Sequence, residues 1–255
     1  VLFRSLARAS SFDLGTGLGV RLSEIEPGAD PGFATISSPE ANGDDEASIA
    51  LAIDAPGVLS AVAVGHRILL DDGAVRLLAT GVVETEGRRA IIAQVISGGT
   101  VRPRVGVNLP DSDPDLPAVT SRDLDFAIEM HRAGCDLVAV SFCRDGDDLR
   151  RLRATLQERV PERPSPWLVS KVERPAAIAN LEDVVEASDA VLVARGDLGV
   201  ELDIASVPVL QKRVVAASIA AGRPVIVATQ MLQSMIEAPS PTRAEATDVA
   251  NAVLD

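Results

Sequence analysis

Lys171, Glu173, Asp197 and Thr229 are residue types suited to phosphate and divalent-metal chemistry, and each sits where an apolar run ends. Lys171 and Glu173 occupy alternate positions, so on an extended strand both side chains project from the same face. Asp197 follows the next apolar run, in Ala194-Arg195-Gly196-Asp197-Leu198-Gly199. Two carboxylates on neighbouring strand ends with a lysine beside them suit a hard divalent cation and a phosphate, because Mg²⁺ takes one or two carboxylates and completes its shell with water and substrate oxygens. Gly196 and Gly199 allow close backbone approach, with N–H groups that could receive an anion, and Thr229 adds a neutral hydroxyl. The competing reading is structural: Lys171 and Glu173 as an ion pair at a strand end. Spacing does not separate the two.

The elements that would position these residues read as alternating strands and helices from Pro117 onward. Asp136–Phe142, Trp167–Lys171, Ala190–Arg195 and Pro224–Thr229 are near-continuous apolar runs, as buried parallel strands are. Leu124, Ala127, Ile128 and His131 share a helical stripe, as do Leu149, Leu152 and Leu156. Pro175 suits a first helical turn before the stripe Ile178, Leu181 and Val185. Val207, Leu210, Val214 and Ala217 form another, with Gly222 as its stop. Strands recur about every 30 residues, the repeat of a (β/α)8 barrel. A doubly wound sheet competes, but each run ends in small or polar residues, as barrel strands do where they line a shared site.

The first half differs. Arg67–Leu70, Asp71-Asp72-Gly73 and Ala74–Leu78 read as a hairpin, and Gly81–Glu84, Thr85-Glu86-Gly87 and Arg89–Ala93 as a second, closed by Gly98-Gly99. Ser37–Glu46 is polar and rich in turn formers, hence a loop. The fold class is therefore α/β, with units of a (β/α)8 barrel following a small antiparallel β domain.

Composition narrows the function. Of 255 residues, 24 are Lys or Arg and 37 Asp or Glu, a net charge of −13, which argues against a nucleic-acid or anionic-membrane surface. No apolar run reaches the roughly 18 residues of a membrane helix. Cys135 and Cys143 build neither a disulfide framework nor a four-ligand zinc site; a cytoplasmic setting and packing roles suit them. His66 and His131 lack a partner arrangement for ligation or catalysis and read as structural surface residues. Gly15–Gly19 misses G-x-G-x-x-G, and no Walker A pattern occurs. Asp111–Asp115 reads as a solvated linker loop. The chain opens on Val1, Leu2-Phe3-Arg4-Ser5 reads like translated sequencing adapter, and Asn251–Asp255 carries a helical pattern with no stop; both ends read as truncations.

Longer stretches resemble the pyruvate kinase family: Ser170-Lys171-Val172-Glu173, Val193–Glu201, Ala228–Ile236, Pro241–Glu245, Asp248–Asp255 and, upstream, Val64–Gly73 and Gly106–Pro110. The resemblance covers residues 64–255. It implies a partial (β/α)8 TIM barrel with an inserted small antiparallel β domain, divided as 1–17, a remnant near the third barrel strand; 18–104, the β domain; and 105–255, barrel units spanning about strands 4–7. It implies phosphoryl transfer from phosphoenolpyruvate to ADP, giving pyruvate and ATP in glycolysis, by a cytoplasmic enzyme that is a homotetramer at full length. It implies Mg²⁺ (or Mn²⁺) held by Glu173 and Asp197, Lys171 opposing the charge of the migrating phosphoryl group, Thr229 as a catalytic contact, and Gly196, Asp197 and Thr229 as substrate contacts.

Departures from the family pattern fall near the start. Of the residues the family uses for a monovalent cation and nucleotide, Phe12–Arg21 keeps Asp13 as a K⁺ candidate and Arg21 as a nucleotide contact, one out of register; the Gly-Pro pair between them is missing. Val105 stands where a basic residue is usual, with Arg104 before it. The first two strands, the eighth and the regulatory C-terminal domain have no counterpart, so the chain alone is expected to be inactive. Two rivals stay open: a Mg²⁺-dependent aldolase or lyase acting on pyruvate or an oxoacid, and an inactive degenerate relative.

Overall fold

The computed structural model describes residues 3–4, 12–24, 48–53, 57–85, 88–102, 105–114 and 116–255. They form two compact units, Val1–Leu116 and Pro117–Asp255. The expected loop at Ser37–Glu46 lies outside the described residues, as do Arg104 and Asp115.

The first unit is built of strands β1 (Phe3–Arg4), β2 (Phe12–Leu14), β3 (Gly19–Glu24), β4 (Ser48–Ile53), β5 (Arg67–Leu70), β6 (Val75–Thr85), β7 (Arg88–Ser97), β8 (Gly99–Val101) and β9 (Gly106–Asn108). Seven make one sheet, in the order β1-β9-β5-β6-β7-β3-β4; β2 and β8 pair separately. Alternation sets the buried face: Val20 and Leu22 on β3, Ile68 and Leu70 on β5, Leu77 and Ala79 on β6, and Ile91, Ala93 and Val95 on β7 share one core. Both expected hairpins are present. In the first, Asp71, Asp72 and Gly73 all take left-handed backbone (φ 51°, 55° and 85°), which Asp and Gly tolerate best.

Several details differ from the sequence reading. The sheet is not wholly antiparallel: β3 and β4 run parallel. The unit reaches Leu116 and takes in β9, past the expected division at 104–105. Phe3 and Arg4 pair antiparallel with Val107 and Gly106 of β9. Asp111 is not a free linker residue. It accepts from Arg67 N, Nε and Nη2 at 2.9, 2.9 and 2.6 Å, which holds its carboxyl below the usual carboxylate range. His66 is half-buried, its Nδ1 2.8 Å from Ser112 Oγ.

The second unit alternates helices and strands: α1 (Ser121–Ala133), β10 (Leu137–Val140), α2 (Gly146–Arg159), β11 (Trp167–Val172), α3 (Pro175–Ala179), α4 (Leu181–Ala187), β12 (Ala190–Ala194), α5 (Arg195–Glu201), α6 (Val207–Ala220), β13 (Val225–Ala228) and α7 (Arg243–Leu254). The strands form a four-stranded parallel sheet in the order β10-β11-β12-β13. Its helix-facing side contributes Val140, Leu168, Val172, Val191 and Val193 to a core with Leu149, Leu152, Leu156, Leu181, Val185 and Val214. Capping boxes start α1 (Thr120 with Asp123) and α7 (Thr242 with Glu245), and Gly134 at φ 102° ends α1.

The stripe expected from Pro175 to Val185 is two helices broken at Asn180, whose side chain donates to Arg144 O at 3.1 Å. His131 is a correction: only 2% exposed, it lies on the buried stripe of α1 rather than at the surface. Cys143 is buried as expected, but Cys135 is exposed. No helix among the described residues is long and apolar enough to cross a membrane.

Candidate active site at the strand ends

The parallel register places the C-terminal ends of β10 to β13 side by side: Val140 pairs with Ser170, Lys171 with Leu192, and Ala194 with Ala228. The candidate residues follow from that alignment. Lys171 and Glu173 project from the same side, as period two requires, and form an ion pair. Lys171 Nζ also donates to Ser141 Oγ at 3.0 Å, reaching the end of β10. Glu173 Oε2 accepts from Phe142 N–H at 2.7 Å. Phe142 holds left-handed backbone (φ 56°), so the carboxylate braces a turn a bulky residue does not adopt freely.

Glu173 is fully buried. Burial pushes its carboxyl above the usual range, the Lys171 ammonium and the Phe142 N–H pull it back, and the negative charge of Asp197 pushes it up again. The two carboxylates therefore feel one another. Carboxylates are hard oxygen donors, and no group of three or more His, Cys, Asp or Glu that could hold a metal occurs among the described residues. Two carboxylates, one of them destabilised as an anion, fit a Mg²⁺ or Mn²⁺ that keeps further positions for water and substrate oxygens. Of the two strand-end roles weighed for Lys171 and Glu173, the ion pair is present in the structure.

Asp197 lies in the first turn of α5, which begins directly at the end of β12. The Gly196 N–H is not free for an anion, because it donates to Thr229 Oγ1 at 3.1 Å. A Cβ on Gly196 would sit 3.3 Å from that hydroxyl, a tight contact that the threonine side chain would have to yield to. Gly199 instead faces Ile204 and Val207, where an added Cβ would make contacts of 3.6–3.9 Å. Thr229 and Gln230 carry left-handed backbone (φ 70° and 54°). For a β-branched threonine this is strained, and such strain gathers where function needs it.

Arg195 is a residue whose role the sequence did not expose. Only 5% exposed, it donates through Nε and Nη2 to Thr229 O at 3.1 and 2.7 Å and through Nη2 to Gln230 O at 2.9 Å, and its Nη1 pairs with Asp248 Oδ1 of α7 at 2.6 Å. Asp13 and Arg21 lie in the first unit. Asp13 is exposed on β2 and accepts from Thr100 Oγ1, and Arg21 is exposed on β3 opposite Ile92.

The model of the pyruvate kinase barrel domain matches residues 19–255. The chain belongs to the pyruvate kinase family. A pyruvate kinase of Mycobacterium intracellulare is 45% identical over 199 residues, 76% of this chain and 39% of that protein. A human pyruvate kinase is 42% identical over 206 residues, 80% of this chain and 34% of its own length. One from Dictyostelium discoideum is 41% identical over 211 residues, 82% of this chain and 40% of its own. The chain thus spans well under half the length of these pyruvate kinases. The stretches Ser170–Glu173 and Val193–Glu201, which hold candidate site residues, fall inside the family match.

Proposed function

We propose that the protein carrying this chain is a pyruvate kinase that transfers the phosphoryl group of phosphoenolpyruvate to ADP, yielding pyruvate and ATP. The observation that carries this reading is the ion pair of half-buried Lys171 and buried Glu173 at the end of β11, with Asp197 at the end of β12 near enough for its charge to act on Glu173. In this reading the second unit, Pro117–Asp255, supplies units of a (β/α)8 barrel, and the first unit carries its inserted β domain. The enzyme is a cytoplasmic homotetramer with no nucleic-acid or membrane partner.

Phosphoryl transfer needs positioning and charge neutralisation more than covalent participation by the protein. Lys171, held by Ser141 and Glu173, sets a cation against the equatorial oxygens of the group in flight. Glu173 and Asp197 would hold Mg²⁺ or Mn²⁺, which supplies further neutralisation when bound. Thr229 offers a hydroxyl already fixed by the Gly196 N–H, and Gly196 and Asp197 complete the substrate contacts. Asp13 as a K⁺ ligand and Arg21 as a nucleotide contact are proposed from the family resemblance alone.

The test is ATP formation from phosphoenolpyruvate and ADP by the protein as its gene encodes it, with and without Mg²⁺ and K⁺. Metal-dependent turnover supports the reading. Cleavage of an oxoacid to pyruvate without phosphoryl transfer would replace it with the aldolase or lyase alternative, and neither activity would leave a degenerate relative.

A further inference from the structure

We propose that Arg195 is a positioning residue that sets the Thr229 hydroxyl against the Gly196 N–H by clamping the strained end of β13. This rests on the pyruvate kinase reading for what the positioned group does, but not for the clamp itself. Thr229 and Gln230 are consecutive non-glycine residues in left-handed backbone, φ 70° and 54°. Such a pair persists only where the surroundings over-determine it. The carbonyls of these same two residues receive three contacts from the Arg195 guanidinium, at 2.7 to 3.1 Å.

A planar fork of fixed donors suits two successive carbonyls in a way that a lysine ammonium does not. The remaining arm, Nη1, meets Asp248 at 2.6 Å, which orients the fork and balances a charge that is almost wholly buried. Arg195 is also the residue immediately before Gly196. One side chain therefore ties the β12–α5 junction to the end of β13, and α7 holds that side chain in place. The product of this arrangement is the 3.1 Å hydrogen bond from Gly196 N–H to Thr229 Oγ1. Without the clamp, the Thr229 backbone relaxes toward ordinary φ and its hydroxyl leaves the site.

The experiment uses the protein as its gene encodes it, with Arg195→Met, Arg195→Lys, Asp248→Asn, Thr229→Ala and the Arg195→Met/Thr229→Ala double variant. Two readouts are taken: kcat and KM for phosphoenolpyruvate, and amide hydrogen exchange at Gly196 against the β12 core amides of Val191 and Val193. Arg195→Met should lower kcat about 10- to 100-fold with KM changed less than threefold, and lysine should not rescue it. In the Thr229→Ala background the same substitution should change kcat less than twofold, because the pathway through Thr229 is already gone. Gly196 exchange should quicken at least tenfold in Arg195→Met and, to a smaller degree, in Asp248→Asn, while Val191 and Val193 stay protected. Additive losses in the double variant, or unchanged Gly196 exchange in the folded variants, would overturn the proposal. If the wild-type protein does not turn over phosphoenolpyruvate, the functional reading fails while Gly196 exchange still decides the clamp. If Arg195→Met does not fold, Asp248→Asn decides it by the same exchange measurement.

Discussion

The Lys171 ammonium and the Glu173 carboxylate pair across one intervening residue, with the lysine side chain 27% exposed and the glutamate side chain 1%. The asymmetry sets what each substitution does. Lys171→Met leaves a buried carboxylate with the Phe142 N–H as its remaining hydrogen bond here. The expected destabilisation is about 1–3 kcal/mol, the penalty for stranding a buried charged acceptor, discounted because the lysine is partly in water. Turnover should fall about 10²–10³-fold, the size of one lost transition-state charge contact. Adding Glu173→Gln should recover stability but not turnover. Urea titration and a coupled ATP assay read the two effects separately. Near-normal kcat in Lys171→Met would move the phosphoryl-stabilising role elsewhere.

Gly146 opens α2, where a Cβ would stand 2.6 Å from the Asp183 carbonyl oxygen and 2.7 Å from its Oδ2. Its N–H also donates to Asp183 Oδ2 at 2.8 Å. Backbone cannot step aside as a long side chain can, so Gly146→Ala must part α2 from α4. A loss of about 1–3 kcal/mol is expected, the usual range for overpacking. The urea midpoint of the second unit's transition measures it, and an unchanged midpoint would mean the α2–α4 contact yields freely.

The two cysteines should behave oppositely. Cys143 is buried, its Sγ–H donating to Lys171 O at 3.4 Å, and burial reinforced by the charges of Asp148 and Glu173 pushes its thiol up to about 12. Cys135 is exposed. Since the thiolate is the reactive form, a disulfide reagent at neutral pH should titrate one thiol quickly in the native protein and the second only on unfolding. Rapid reaction of both would show that β10 and its following loop open readily.

Much of this was readable from local pattern. Continuous apolar runs betray buried parallel strands, Asp71-Asp72-Gly73 announces its turn, and period two aligns Lys171 with Glu173. What escaped depends on distance in sequence or on a residue acting against type. Arg195 and Asp248 are 53 residues apart, and nothing near either one signals the pair. Thr229 gives no hint of left-handed backbone, because β-branched residues avoid it. The His131 stripe was visible, but residue type suggested the surface; the helix face decided for the interior, where neither ring nitrogen finds a hydrogen-bond partner among the described residues. Asp111 looked like linker because its Arg67 partner lies 44 residues away.

Glu245 joins α7 to the segment after β13 and gives a pH test. Its carboxylate accepts from Ser234 N–H at 2.8 Å and from the Ser234 hydroxyl, and from Thr242 N–H at 2.8 Å and the Thr242 hydroxyl at 2.9 Å. These donors, those of Ser234 foremost, hold its carboxyl down to about 2, from an ordinary value of 4.5. A carboxyl depressed in the folded state binds fewer protons there than in the unfolded chain, so its stabilisation is fully present above pH 4.5 and disappears as pH falls toward 2. Glu245→Gln keeps much of the hydrogen bonding but cannot titrate. The variant should therefore be less stable than wild type at pH 6, and the gap should close as pH falls through that window. Because the donors are neutral N–H and O–H groups rather than cations, added salt should leave the gap largely unchanged. Urea midpoints of both proteins at pH 6, 4 and 3, at low and high salt, measure this; a gap that is constant with pH would assign the depression to some group other than Glu245.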